Sequence, residues 1–206
     1  ARAASHRRRI NVSLSPFSPK AHTPFQWEAM DTPESLERKS RNLKTALNKL
    51  RNVKVSYRNV RMALLETVLA RGDRATGAVI HNAWKKGARF DGWDDRFDFG
   101  RWADAAREAS VDFTRYTGEI PENQELPWSV IDIGVSRAFC IRERERSREG
   151  VITGDCRNGA CAACGVCDAE LKSRGARAAR MAGPAVPPSA SSALSAGSAI
   201  TDAAAG

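Results

Sequence analysis

Four thiols lie within twelve residues of the chain, Cys156, Cys161, Cys164 and Cys167, in the run Asp-Cys-Arg-Asn-Gly-Ala-Cys-Ala-Ala-Cys-Gly-Val-Cys. The spacing C-x4-C-x2-C-x2-C, relieved by Gly159 and Gly165, lets one short loop turn several sulfurs toward a single centre. That is the chemistry of thiolate-bound zinc and of iron–sulfur clusters. A zinc ribbon separates its two C-x2-C knuckles by roughly 15 to 20 residues, so that each knuckle comes from its own turn. Here the two steps overlap and share Cys164.

The first three cysteines follow the C-x4-C-x2-C order of plant-type ferredoxins, with Cys167 close by in place of a distant fourth ligand. The spacing therefore favours an iron–sulfur cluster, 4Fe-4S, with zinc as the alternative. Two disulfides in a secreted tail fit less well. They would leave Cys140 over, and the N-terminal residues do not read as a secretion signal.

The formal net charge of the 206 residues is +9, and its distribution matters more than its size. Between Arg38 and Arg61 there are nine Lys or Arg and no Asp or Glu. RNA or DNA is a partner such a stretch can meet. A solvated helix face, opposite a leucine stripe, accounts for most of the same residues. The alternating charges from Arg137 to Glu149 read as an exposed, salt-bridged helix. No apolar run reaches the length of a membrane span, and a cytoplasmic location without membrane contact is expected.

The elements that would position these groups follow from periodicity and punctuation. Residues 10–17 alternate, with Ile10, Val12 and Leu14 on one face and Asn11, Ser13 and Ser15 on the other, as in a strand. A stiff, proline-containing loop from Ser18 to Trp27 follows. Thr32 and Pro33 signal a helix start, and Leu36, Leu43, Leu47 and Leu50 form its expected buried stripe. Val53 to Tyr57 reads as a second strand.

A second helix runs through Val60, Leu65 and Val68 and is expected to close on a left-handed Gly72. A third carries Val79, Ile80, Ala83 and Trp84 and stops at Gly87; a fourth has Asp98 as N-cap. Trp84, Trp93, Phe97, Phe99 and Trp102 are expected to form a small helical core. His81 falls on the surface, Asp73 and Asp91 read as capping residues, and Cys140 as buried packing. Leu126-Pro127-Trp128 breaks the chain before a fifth helix that leads into the cysteine loop. From about Lys172 onward, Ala, Ser, Gly and Pro dominate without periodicity, the composition of a disordered tail.

Taken together, these residues resemble one family. Val-Ser-Leu-Ser-Pro-Phe-Ser-Pro-Lys-Ala-His-Thr-Pro-Phe-Gln-Trp (Val12 to Trp27) looks like the final part of the barrel in cobalamin-binding radical SAM proteins. Leu69-Ala-Arg-Gly-Asp-Arg74, Gly87-Ala-Arg-Phe-Asp-Gly-Trp93, Leu126-Pro-Trp128 and the cysteine run resemble the C-terminal extension of a subgroup with such a cluster. The resemblance covers roughly residues 5–168. It implies an α/β fold: the last strand and helix elements of a partial (β/α) barrel over 1–58, a mainly helical extension over 59–150, a Cys-rich metal loop over 151–168 and a disordered tail over 169–206.

Loops after barrel strands form the active-site face. The resemblance thus implies cofactor contacts for Lys20, His22 and Gln26, and for Ser13 and Ser15 on the polar strand face, near S-adenosylmethionine. For His22 the competing role is to order the loop through a backbone hydrogen bond. The family's catalytic C-x3-C-x2-C loop does not precede Val12, and neither does a cobalamin domain. The missing N-terminal part of the same polypeptide is therefore an expected partner, and the chain by itself would not generate a radical. The cysteine loop then holds an auxiliary cluster. The alternative is a nucleic-acid-binding module with a structural zinc.

Overall fold

The computed structural model describes residues 9–157 and 159–167; the Ala/Ser/Pro/Gly tail over 169–206 lies outside the described residues. The architecture is mixed α/β. Strand β1 (Ile10–Leu14) pairs in parallel with β2 (Val53–Tyr57), in the register Ile10↔Val53 to Leu14↔Tyr57. The crossover between them contains helix α1 (Pro33–Leu47). Helices α2 (Val60–Arg71), α3 (Arg74–Lys85), α4 (Phe99–Glu108), the single turn α5 (Thr114–Thr117) and α6 (Arg137–Arg148) follow. Residues 9–152 with 164–166 form one compact unit, and 153–163 with 167 belong to a second.

Local chemistry sets most boundaries. β1 stops at Leu14, short of the expected residue 17, because the chain turns into the Pro16 and Pro19 segment, whose rings lack the N–H that a ladder needs. Thr32 caps α1, its Oγ1 accepting from Ser35 N–H at 3.2 Å. Asp98 caps α4 by accepting from Gly100 N–H at 2.9 Å. Asp73 caps α3 by accepting from Ala75 N–H at 2.9 Å.

Gly72 departs from expectation. Its φ of −64° and ψ of 158° are extended, not left-handed, because α3 begins at once after it. Its glycine is needed for close approach instead: a Cβ there would lie 2.5 Å from Thr76 Oγ1.

Apolar burial is divided among three clusters. Leu65, Val79, Ala83, Trp102, Ala105 and Ala106 join α2, α3 and α4. Trp27, Leu126, Trp128 and Cys140 join the loop after β1 to α6. Met30, Leu36, Val60 and Ala63 join α1 to α2.

The leucine stripe of α1 is only partly covered. Leu36 is buried, whereas Leu43 and Leu50 are 47% and 54% exposed. The buried apolar contact of α1 is made near its N-terminus, while in its second half Lys44 lies over the Tyr57 ring of β2 at 5.3 Å. The aromatic core is likewise smaller than expected. Trp102 is buried, but Trp84 and Trp93 are exposed, Trp84 stacking on His81 at 5.9 Å. Among the described residues, no helix is long and apolar enough to cross a membrane.

Candidate functional site

The loop after β1 is fixed by its own side chains. Thr23 Oγ1 donates to Lys20 O at 2.8 Å, and Gln26 N–H donates to Thr23 O at 3.1 Å. His22 sits at φ 58°, a left-handed conformation uncommon for a residue with a Cβ. In that conformation its backbone N–H donates to Gln26 Oε1 at 3.0 Å. The same oxygen accepts from Trp128 Nε1 at 2.8 Å, across 102 residues of sequence. Gln26 is 5% exposed and the neighbouring Trp27 fully buried, so the end of the loop is anchored in the Trp27, Leu126, Trp128, Cys140 cluster.

A cavity of about 380 Å³ opens over this junction. His22, Gln26 and Trp128 line one side, and Arg137 and Cys140 of α6 another. Ser136 N-caps α6, its Oγ accepting from Phe139 N–H at 3.2 Å. Its own N–H donates to Cys164 O at 2.8 Å. Gly165 follows at φ 102°, where a Cβ would lie 2.7 Å from Gly134 O, so the Cys164–Val166 segment lies against the start of α6. Burial and the nearby Glu143 carboxylate push the Cys140 thiol above its ordinary range, which marks it as a neutral packing group.

The other expected cofactor contacts lie elsewhere. Ser13 and Ser15 line a separate cleft of about 320 Å³ with Ser56, Tyr57 and Asn59. Lys20 pairs with Glu66 of α2, which also pairs with Arg58 at 3.0 Å. The structure thus brings His22 and Gln26 together, turns the Lys20 side chain to Glu66, and places Ser13 and Ser15 in a separate cleft. Trp128, Arg137 and Cys140 are site residues that sequence reasoning did not assign. The Leu-Pro-Trp break was the one signal that pointed toward any of them.

Next to the junction, α6 is not the fully exposed charged helix its sequence suggests. Arg144 is 3% exposed and donates to Glu28 at 2.5 Å, Glu122 at 2.6 Å and Glu119 at 2.9 Å. Burial opposes its charge, but these three bonds outweigh it and hold the guanidinium above its ordinary range. The Arg144 hydrogen bond, with the charges of Arg144 and Arg148, holds the Glu28 carboxyl below its ordinary range against its partial burial. Arg71 is the contrast: 1% exposed, it donates to Glu28 O at 3.1 Å, while its Nε and second terminal nitrogen have no partner among the described residues.

All four cysteines of the C-terminal run are free thiols; Cys156 and Cys161 are exposed, Cys164 and Cys167 half-buried. Among the described residues, no three His, Cys, Asp or Glu side chains are gathered to hold a metal. Asp155 beside them is drawn down to about 2 by its hydrogen bonds with Arg157.

Comparison with known proteins gives one partial match. Over 105 residues, 46% of this chain, the sequence is 30% identical to an uncharacterized protein of Methanocaldococcus jannaschii. The match covers 23% of that relative, so the chain spans less than a quarter of its length. No family model matches the chain. No solved structure matches it.

Proposed function

We propose that the chain is the C-terminal part of a radical SAM enzyme, dependent on an iron–sulfur cluster and S-adenosylmethionine and cobalamin-binding in the full-length protein. It supplies the last strand, helix and strand of the barrel, and Cys156, Cys161, Cys164 and Cys167 hold an auxiliary iron–sulfur cluster. The observation that carries this reading is the parallel β1–α1–β2 unit whose first strand runs straight into the loop bearing His22 and Gln26. Parallel sheets are found covered on both faces and built from several strands. A two-stranded one with Ile10 56% exposed reads as the margin of a larger sheet. The curated relative extends well beyond the matched segment, as the reading requires.

The donor chemistry of the cysteine run suits the cluster: four free thiols in one loop are a complete tetrathiolate set. In this reading, metal uptake by the four thiols is coupled to local folding of the loop. Four thiolates leave no iron open, so the role is electron transfer or structure.

Anaerobic reconstitution with iron and sulfide tests the proposal. A brown protein with about four iron per chain is the expected result. Stoichiometric zinc in a colourless protein overturns it in favour of a structural zinc site.

A second reading, contact with RNA, draws on the basic stretch. Arg38, Lys49, Arg51 and Lys54 are exposed and form no ion pair among the described residues, whereas Lys39, Arg41 and Arg58 are already paired with carboxylates. Binding through phosphates would weaken steeply with salt, and a flat salt dependence contradicts it.

A further inference from the structure

The cavity over the Gln26–Trp128 junction contains an unused hydrogen-bond donor. Both groups bonded to Gln26 Oε1 are donors, the His22 backbone N–H and the Trp128 indole N–H. That fixes which end of the amide is oxygen, so Nε2 points away from both. Gln26 is 95% buried, and its Nε2 has no hydrogen-bond partner among the described residues. The Nε2 group is not sealed from solvent, so an acceptor seated in the cavity would replace water as its partner.

Positive charge converges on the same space. Arg137 lines the cavity and is held in place by donating to the backbone carbonyls of Glu122 and Gln124. It makes no ion pair among the described residues, and its guanidinium lies over the Trp27 ring at 5.8 Å. It is also the first residue of α6, a twelve-residue helix whose N-terminus carries the positive end of the dipole. The remaining walls are largely apolar, from Leu126, Ile131, Ile133 and Val135. One acidic group, Asp132, faces the cavity too, with its Oδ1 accepting from Gly134 N–H at 2.7 Å.

We propose that this cavity binds a small monoanionic carboxylate with an apolar body, its head on Gln26 Nε2 and Arg137 and its body against Leu126, Ile131 and Ile133. Gln26 and Arg137 supply donors for two oxygens. Asp132 selects against a dianion such as a phosphate monoester, because a second negative charge would face its carboxylate. A volume of about 380 Å³ holds a ligand of this size. The site shares His22 and Gln26 with the loop of the radical SAM reading but uses neither the cysteine run nor the basic stretch, so the titration below and the iron reconstitution can fail separately.

Calorimetric titration of the full 206-residue chain with hexanoate, hexanol and hexylamine tests it. Hexanoate should bind one to one with Kd on the order of 0.1–1 mM, and the alcohol and amine at least about tenfold more weakly. Gln26→Glu keeps an oxygen acceptor for His22 N–H and Trp128 Nε1 but replaces the amide donor with a carboxylate oxygen. It should lower hexanoate affinity by about tenfold or more while the thermal melt stays cooperative. If Gln26→Glu does not fold, Ile133→Asp, on a partly exposed wall, should produce the same loss. No saturable hexanoate binding, equal binding of hexanol or hexylamine, or unchanged affinity in a folded variant overturns the proposal.

Discussion

Two buried arginines show how differently one residue type behaves according to its partners. Arg144 faces three glutamates, and Arg71 faces backbone oxygen alone. Arg144→Met should destabilise by about 3 kcal/mol, because three carboxylates would then lose the buried cation they share, with Arg148 left on Glu28 alone. Arg71→Met should be neutral or stabilising, within about 1 kcal/mol, since it removes a buried charge that no counter-ion matches. Burial alone already lowers the proton affinity of Arg71. Urea denaturation of the two variants measures the contrast, and an equal loss in both would contradict it. The Glu28 carboxyl carries a pH signature. Its folded pKa lies below the unfolded one, so between the two values the unfolded chain binds more protons. Its stabilisation is complete above the unfolded pKa and is lost as pH falls through the folded one. The melting temperature should therefore drop as pH falls through and below the ordinary glutamate range, less steeply in Glu28→Gln.

At the scale of elements, the α2–α3 junction and the α1 face make opposite predictions. Gly72→Ala restricts the unfolded chain, which alone would stabilise by about 0.4–1 kcal/mol at an extended position. The 2.5 Å approach to Thr76 Oγ1 and the 2.6 Å approach to Thr76 Cγ2 outweigh that gain. A net loss of about 1–2 kcal/mol is expected, with part recovered in the Gly72→Ala, Thr76→Ala double variant, as thermal melts would show. On α1, Leu36→Ala should cost about 2–3 kcal/mol, whereas Leu43→Lys should lie within about 0.5 kcal/mol, because Leu36 is buried and Leu43 exposed. If the proposed longer protein has further barrel elements that cover Leu43, the same Leu43→Lys change becomes costly in it. Comparing chain and full-length protein therefore tests the barrel proposal.

At the scale of the molecule, what was legible in the sequence is what is written locally. Alternation marked both strands. Thr32 and Asp98 marked helix starts, and Asp73 a cap, because a short side-chain oxygen reaches an N–H two or three residues on. The buried state of Cys140 followed from its apolar neighbours. The tertiary structure decided the rest. Whether Leu43 or Trp84 is covered depends on elements far away in sequence, and periodicity records a face without naming what lies against it. The alternating charges of α6 read as exposed because nothing local distinguishes Arg144 from Arg142 or Arg146; only the glutamates at 28, 119 and 122 do so. The cysteine spacing by itself determines only that four thiols lie within the short reach of twelve residues, which is what the metal proposal rests on. The cavity at Gln26 could not be specified that way, because its amide is oriented by an indole 102 residues distant, and only folding brings the two within a hydrogen bond.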